Sequence, residues 1–299
     1  MRVFVAGATG FAGAAIAERL SADGHPVSGL ARTPVAAERL RTKGYRPIVA
    51  DLDDGLDDAL SAAADADAVV YAAQIPPERE AAVVGAFLDR LAGTGTTFLF
   101  LSGTGVLMQR TGGAWSADSF AEDDPFESEP LALPRVRTET AVRTAANTGL
   151  RTLVVRPPYL WGDGEHGHLS AVYQSVARTG AACYVGEGLN CYTNLHVTDA
   201  AGLVAAVLDR GTSGALYHGA AGEIANRWIA EAAARDLGVG TRSLTPAEAV
   251  EVWGEFRALI MGASSRSRAP RSRAELGWLP VHTDMLAAIG APYLRAQAG

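Results

Sequence analysis

Val3-Phe4-Val5-Ala6-Gly7-Ala8-Thr9-Gly10-Phe11-Ala12-Gly13-Ala14-Ala15-Ile16 decides the fold of this chain. The apolar run before Gly7 reads as a buried parallel strand, and 14–20 continues as an alanine-rich helix with Ile16 and Leu20 on one face. Between them lies a glycine turn of the pattern G-x-x-G-x-x-G. Its first glycine permits a tight turn, its second lets a pyrophosphate approach backbone, and its third lets helix and strand pack closely. Free N–H groups and the positive end of the helix dipole would then hold phosphates. Gly7, Thr9, Gly10, Phe11, Ala12 and Gly13 are therefore the expected dinucleotide cradle.

Residues 26–31 read as a second strand and 34–41 as a helix with proline at its first position. The end of the second strand is where an acid would bind the ribose 2′-hydroxyl of NAD. Arg32 stands there, between Ala31 and Thr33, with no carboxylate in the sequence nearby. A guanidinium can hold a 2′-phosphate bidentately, whereas an acid would repel it, so the expected coenzyme is NADP(H) in preference to NAD(H). Residues 46–50 form a third strand ending at Asp51-Leu52, placed to line the adenine. Residues 66–72 form a fourth strand, whose end brings Ala72, Ala73 and Gln74 beside the ribose. Ser102 and Pro157, at the ends of a fifth strand (97–101) and a sixth (150–155), complete the expected coenzyme contacts.

Helices are expected at 53–64, 77–92 and 133–147. Strands alternating with helices in this way indicate a parallel sheet wound on both faces. The fold class is thus α/β, a Rossmann-type doubly wound sheet with a smaller C-terminal lobe over its carboxyl edge. The nucleotide domain is expected to comprise 1–157 and 194–212, and the substrate lobe 158–193 and 213–299. The later segments read as a helix at 169–178, short strands around Cys183 and Leu195, and a helix to Arg210 capped by Thr198. A strand at 215–218, a helix at 224–237 and two or three helices from Pro246 follow. The long loop 103–129 is of a kind usually functional or mobile, and its end, Glu122-Asp123-Asp124-Pro125, reads as solvated.

With 299 residues, 48% hydrophobic and 20% charged, the chain has ample material for a core. Its net charge of -7 argues against binding nucleic acid or an anionic membrane. No apolar run reaches the roughly 18 residues of a membrane span. The first strand begins almost at the first residue, where a signal peptide is not expected, and a reducing cytoplasm is the default setting for two cysteines without a disulfide framework. Cys183 and Cys191 read either as buried small side chains or as neighbours on a hairpin.

The glycine motif, Asp51-Leu52, Leu101-Ser102-Gly103-Thr104-Gly105-Val106 and Arg156-Pro157-Pro158 together resemble the extended short-chain dehydrogenase/reductases of the epimerase/dehydratase branch. Asn194-Leu195-His196-Val197-Thr198-Asp199 and Arg273-Ala274-Glu275-Leu276-Gly277-Trp278 match as well. The resemblance spans essentially the whole chain and implies a small-molecule substrate and often a homodimer. It also implies a Tyr-x-x-x-Lys pair on the helix after the fifth strand, and this chain departs from that. Anchored on Glu139, the alignment puts Leu131 at the tyrosine position and Arg135 at the lysine position. No tyrosine lies between Tyr71 and Tyr159, and Lys43 is the only lysine.

Substitutes for the missing pair are limited by chemistry. Arg135 could hydrogen-bond the ribose but, with a pKa above about 12, is a poor proton shuttle. Thr104 could orient a carbonyl. Tyr159 reads either as the substitute proton donor or as an aromatic packed under the lobe. Asp163, Glu165, His166 and His168 read as a solvated glycine loop rather than a metal site, and His196 as structural. Arg266, Arg268, Arg271 and Arg273 read either as a solvated basic turn or as contacts for an anionic substrate group. Three functions fit: a reductase or dehydrogenase acting on a carbonyl, imine or conjugated alkene; an epimerase, isomerase or dehydratase without net redox; and a non-catalytic NADP(H) sensor.

Overall fold

A computed structural model describes residues 1–299. Twelve strands run in chain order as β1 (Val3–Ala6), β2 (Val27–Ala31), β3 (Arg46–Val49), β4 (Ala68–Tyr71), β5 (Thr97–Leu101), β6 (Arg151–Arg156), β7 (Tyr159–Trp161), β8 (Ala181–Val185), β9 (Cys191–His196), β10 (Leu216–His218), β11 (Gly222–Ala225) and β12 (Gly240–Leu244). The helices are α1 (Phe11–Ala22), α2 (Pro34–Thr42), α3 (Leu56–Ala64), α4 (Pro77–Leu91), α5 (Leu133–Thr144), α6 (His168–Thr179), α7 (Val197–Arg210), α8 (Asn226–Leu237), α9 (Pro246–Trp253), α10 (Glu255–Gly262), α11 (Pro270–Leu276) and α12 (Pro292–Arg295). None is long and apolar enough to cross a membrane.

Seven strands form one parallel sheet in the order β10-β6-β5-β4-β1-β2-β3. Alternation along β1 shows why both faces are covered. Val3 and Val5 pack with Ile16 and Leu20 of α1 and Leu203, Val204 and Val207 of α7, while Phe4 and Ala6 pack with Val84 and Phe87 of α4. Strand order reverses between β1 and β4, so a crevice opens outside their carboxyl ends, the place where ligands bind in such sheets. A third core, built on α6, α8 and β8, belongs to the lobe.

Several expectations change. Leu216–His218 is not part of the lobe: β10 extends the large sheet beside Val154–Arg156, because its three residues are buried and pair in parallel with β6. The helix placed at 224–237 begins two residues later, after β11 pairs antiparallel with β9. The polar strand β12, whose first four residues are exposed, shows no apolar periodicity and pairs with β8. Cys183 and Cys191 lie in strands of different sheets and are both free thiols, so no hairpin joins them. The cap of α7 is His196, whose Nδ1 accepts from the Thr198 N–H at 3.3 Å.

The acidic stretch, expected in solvent, meets the arginine turn, read either as solvated or as contacts for an anionic substrate group. Glu122 is buried and accepts from the backbone N–H groups of Arg271 at 3.3 Å and Ser272 at 3.2 Å. Asp123 pairs with Arg271, Asp124 with Arg268 at 2.7 Å, and Arg266 with Glu223 at 2.8 Å. Beneath this strap Arg156 forms a buried bidentate pair with Glu139 and lies 5.0 Å over the Phe126 ring. His218 completes the arrangement. Its Nδ1 lies 3.1 Å from the Arg268 carbonyl and its Nε2 lies 3.4 Å from Arg156 Nη1. A neutral ring that donates from Nδ1 and accepts at Nε2 satisfies both contacts, an assignment made from the hydrogen-bond network.

Two predictions follow from this packing. A Cβ on Gly13 would overlap the carbonyl oxygen of Gly7, so Gly13→Ala should cost about 3 kcal/mol in chemical denaturation. Burial first, and then the Arg156 charge, pull His218 down to about 3. A base whose folded pKa is depressed loses stability as pH falls below its unfolded value, because the unfolded chain takes up the proton first. His218 should therefore contribute a loss of about 2 kcal/mol between pH 7.5 and pH 5. Thermal unfolding of His218→Asn across that range should show a correspondingly shallower decline.

Candidate active site

The crevice is built from the ends of strands. Gly7 leaves β1 with φ 97°, a left-handed conformation, and a Cβ there would strike the carbonyl of Ala72. Gly10 is the N-cap of α1 and offers no side-chain cap. The N–H groups of Phe11, Ala12 and Gly13 find no acceptor in the chain. Thr9 and Gly10 are exposed beside them. Gly7 and Gly13 thus serve the tight turn and the helix–strand contact, while the open donors above Gly10 form a cradle that fits a pyrophosphate.

The remaining expected contacts lie along the same carboxyl edge. Arg32 follows β2, is exposed, and makes no ion pair or hydrogen bond. Asp51 follows β3 by two residues and its Oδ1 accepts from the Asp53 N–H at 2.9 Å, with Leu52 buried next to it. Ala72, Ala73 and Gln74 follow β4, anchored by the Ala72 N–H to the Ala6 carbonyl at 2.8 Å. Ser102 follows β5; its N–H donates to Val155 and its buried Oγ has no partner. The Pro157 carbonyl, after β6, accepts from the Thr104 N–H at 2.9 Å. Thr104 is buried at the start of a short 3-10 turn, Thr104–Leu107, and its own carbonyl accepts from Ser265 Oγ at 2.6 Å.

The expected catalytic substitutes are differently committed. Leu131 is an exposed hydrocarbon just before α5. Arg135 turns toward α4, where its Nη2 donates to Glu80 Oε1 at 2.8 Å, so a ribose contact is not what holds it. Burial pushes the Glu80 carboxyl up to about 7 against the pull of Arg135. Tyr159 Oη donates to Glu165 at 2.8 Å and accepts from the Leu169 N–H at 3.1 Å. Burial, reinforced by the Glu165 charge, raises its pKa well above a phenol's ordinary value. A hydroxyl held that way is a poor proton donor, and of the two readings of Tyr159 the geometry matches the aromatic packed under the lobe.

The glycine loop after Trp161 is not solvated as a whole. Asp163 and His166 are exposed, but Glu165 is fully buried before α6, whose N-cap is Gly167, and accepts from Ser170 N–H at 2.7 Å as well as from Gly167 and Tyr159. His168 is the first residue of α6 and is 3% exposed. Its ring packs 4.6 Å from Tyr159 and 4.5 Å from Tyr192, centroid to centroid. Burial draws its pKa down to about 4, so the ring is neutral at pH 7. Sequence reading missed Tyr192 and treated His168 as loop. The available signal was the apolar run from Leu169 that follows a capping-competent acid. No group of three or more metal-ligating side chains is assembled anywhere.

Comparison with known proteins places this geometry. An uncharacterized protein of Schizosaccharomyces pombe is 30% identical over 96% of this chain and 97% of its own length. A 4-hydroxy-2-methyl-3-oxo-4-farnesyl-3,4-dihydroquinoline-1-oxide ketoreductase of Stigmatella aurantiaca is 26% identical over 73% of this chain and 67% of its own. A UDP-glucuronic acid 4-epimerase of Bacillus cereus, solved in complex with NAD, superposes with a TM-score of 0.78 over 100% of both chains at 14% identity, which shows a shared fold. Residues 3–219 match the profile of the NAD dependent epimerase/dehydratase family. With its doubly wound sheet, glycine cradle and family profile in agreement, the chain belongs to the NAD dependent epimerase/dehydratase family.

Proposed function

We propose that this protein is an NADP(H)-binding oxidoreductase that moves hydride to or from a small organic molecule bearing a carbonyl, imine or conjugated alkene. The observation that carries the coenzyme preference is Arg32, an unpaired cation at the end of β2 beside the cradle of free N–H groups. A ribose 2′-phosphate would gain a charge-assisted contact there that a plain 2′-hydroxyl cannot. The redox reading draws support from the ketoreductase of Stigmatella aurantiaca, and the dinucleotide itself from the NAD-bound epimerase of the same fold.

The hydride is the coenzyme's contribution; the chain supplies orientation and electrostatics. Gly7, Thr9, Gly10, Phe11, Ala12 and Gly13 would hold the pyrophosphate. Asp51, Leu52, Ala72, Ala73 and Gln74 would flank the adenosine side, and Ser102 Oγ and Pro157 the nicotinamide side. Thr104 would orient the reacting oxygen from the end of β5. Arg135 and Tyr159 act at one remove, as members of the Glu80 and Glu165 hydrogen-bond sets. A second reading, an epimerase or dehydratase that recycles its coenzyme, is favoured by the family membership itself.

Turnover decides between them. Stoichiometric NADPH oxidation with a panel of ketones, imines and enones supports hydride transfer to substrate. Product without net coenzyme consumption supports the second reading, and tight coenzyme binding with neither outcome indicates a sensor. Calorimetry showing no association with NADPH or NADH at millimolar concentration would sink all three. Within the proposed reading, Arg32→Glu should weaken NADPH relative to NADH by about tenfold or more, since one lost charge-assisted contact exceeds 1.4 kcal/mol. An unchanged ratio of the two dissociation constants removes the 2′-phosphate assignment. Thr104→Ala should lower kcat by about tenfold with little change in NADPH affinity, in steady-state kinetics, if the hydroxyl orients the reacting oxygen.

A further inference from the structure

Of the four arginines in the turn that leads into α11, three are committed. Arg266 pairs with Glu223 at 2.8 Å and donates to the Ser116 carbonyl at 2.6 Å. Arg268 pairs with Asp124 at 2.7 Å, and Arg271 pairs with Asp123 and donates to the Leu216 carbonyl at 3.0 Å. The Arg273 guanidinium makes neither an ion pair nor a hydrogen bond. It lies instead on the wall of a cavity of about 340 Å³, between the start of β11 and the segment before α11. That volume is at the lower end of the roughly 300–1,000 Å³ that ligand pockets occupy.

The cavity stands behind the sheet of the lobe, away from the crevice. Thr193 of β9 lines it, whereas its neighbour Tyr192, on the opposite face of the strand, packs with Met108 and Ala263. Two other charged side chains line it, Glu223 and Arg268, and each already has an opposite charge beside it. One positive charge is therefore left without a partner at the wall. Two hydrogen-bonding groups of the lining are also unpaired. The N–H of buried Ala220 finds no acceptor in the chain, and buried Ser267 Oγ has no partner. No hydrogen bond is lost in turning that hydroxyl to a ligand. The rest of the lining is mostly hydrocarbon, from Ala220, Ala221, Ala269 and Pro270.

This combination selects a ligand. A single free guanidinium matches one carboxylate, with which it can form two parallel hydrogen bonds. A phosphate dianion would leave half its charge uncompensated and would face Glu223. The alanine and proline surface gains from an apolar body rather than a sugar or a second charge. We propose that this cavity is a binding site for a monocarboxylate with a compact apolar body, held by its carboxylate on Arg273, with the body against Ala220, Ala221, Ala269 and Pro270. The site is separate from the coenzyme crevice and holds whichever reaction that crevice carries.

The test uses full-length protein containing nitrogen-15-labelled arginine, titrated with benzoate, benzamide, acetate and inorganic phosphate at constant ionic strength. The Arg273 side-chain resonance is identified by its loss in Arg273→Gln, a change at an exposed position. It should move with benzoate and stay still with benzamide, which keeps the ring and lacks the charge. Acetate, which keeps the charge and lacks the ring, should bind about tenfold more weakly than benzoate. By calorimetry Arg273→Gln should weaken benzoate about tenfold, as expected for a lost charge-assisted contact, while Arg90→Gln, at another exposed arginine, should not. An Arg273 signal unmoved by benzoate at millimolar concentration overturns the site, as does benzoate affinity unchanged in Arg273→Gln or lowered equally in Arg90→Gln. Benzamide or acetate binding as well as benzoate, or phosphate binding more tightly, overturns the ligand class. Displacement of benzoate by NADP+ would put it in the crevice and overturn the separate site.

Discussion

Gly13 has no Cβ, and the contact between the first helix and the end of the first strand exists because of that. The Gly7 carbonyl fills the space a Cβ would take, which lets α1 lie against β1 and its free N–H groups face the crevice. The same approach lets Ile16 and Leu20 reach the sheet and the α7 residues Leu203, Val204 and Val207. A helix held farther out would lose both the core contact and the phosphate cradle. Stability and ligand geometry therefore share one constraint, which explains why a glycine sits inside a helix despite its cost there.

Charge fastens the loop between β5 and α5 to the segment that leads into α11, beside the apolar contact that Leu276 and Trp278 make with the sheet's core. Glu122 is buried against backbone N–H groups, and its neighbours Asp123 and Asp124 each meet an arginine of the segment before or within α11. Exposed pairs of this kind contribute little singly. The buried members, Glu122 and the Arg156–Glu139 pair, matter through the penalty of removing one partner. The loop between β5 and α5 is thereby fastened across the carboxyl edge, and it brings the Thr104 turn against Ser265 and β9.

This division accounts for what could be read from the chain. The large sheet was legible because its strands are continuous apolar runs and its turn motif has local spacing. Glycine, proline and period carry such information within a few residues. The strap was not legible, because Glu122 and Arg271 are distant in sequence and each alone is an ordinary solvated charge. β10 was read as a strand but assigned to the wrong body, since three residues do not say which sheet receives them. β12 was missed because exposed Thr-Arg-Ser carries no apolar alternation. At the candidate site, the absence of tyrosine and lysine was visible by inspection, whereas the commitment of the Tyr159 proton to Glu165 depends on a six-residue loop closing back on itself.

Where the resemblance places the lysine of a Tyr-x-x-x-Lys pair, α5 carries Arg135. A lysine at position 135 would carry its charge on a compact, flexible ammonium, but the arginine present extends a planar fork to Glu80 on α4. Glu80 is buried next to Tyr71, whose hydroxyl is also without a partner, and its carboxyl sits near neutrality in proton affinity. The position that serves the coenzyme in the resembled family here neutralises a buried acid and joins α5 to α4. With that cation withdrawn, a phenol at Leu131 would have had no ammonium to lower its pKa, and would have been a weak acid–base group. The two departures are thus consistent with each other: Arg135 on the helix after β5 is committed to packing against α4 through Glu80.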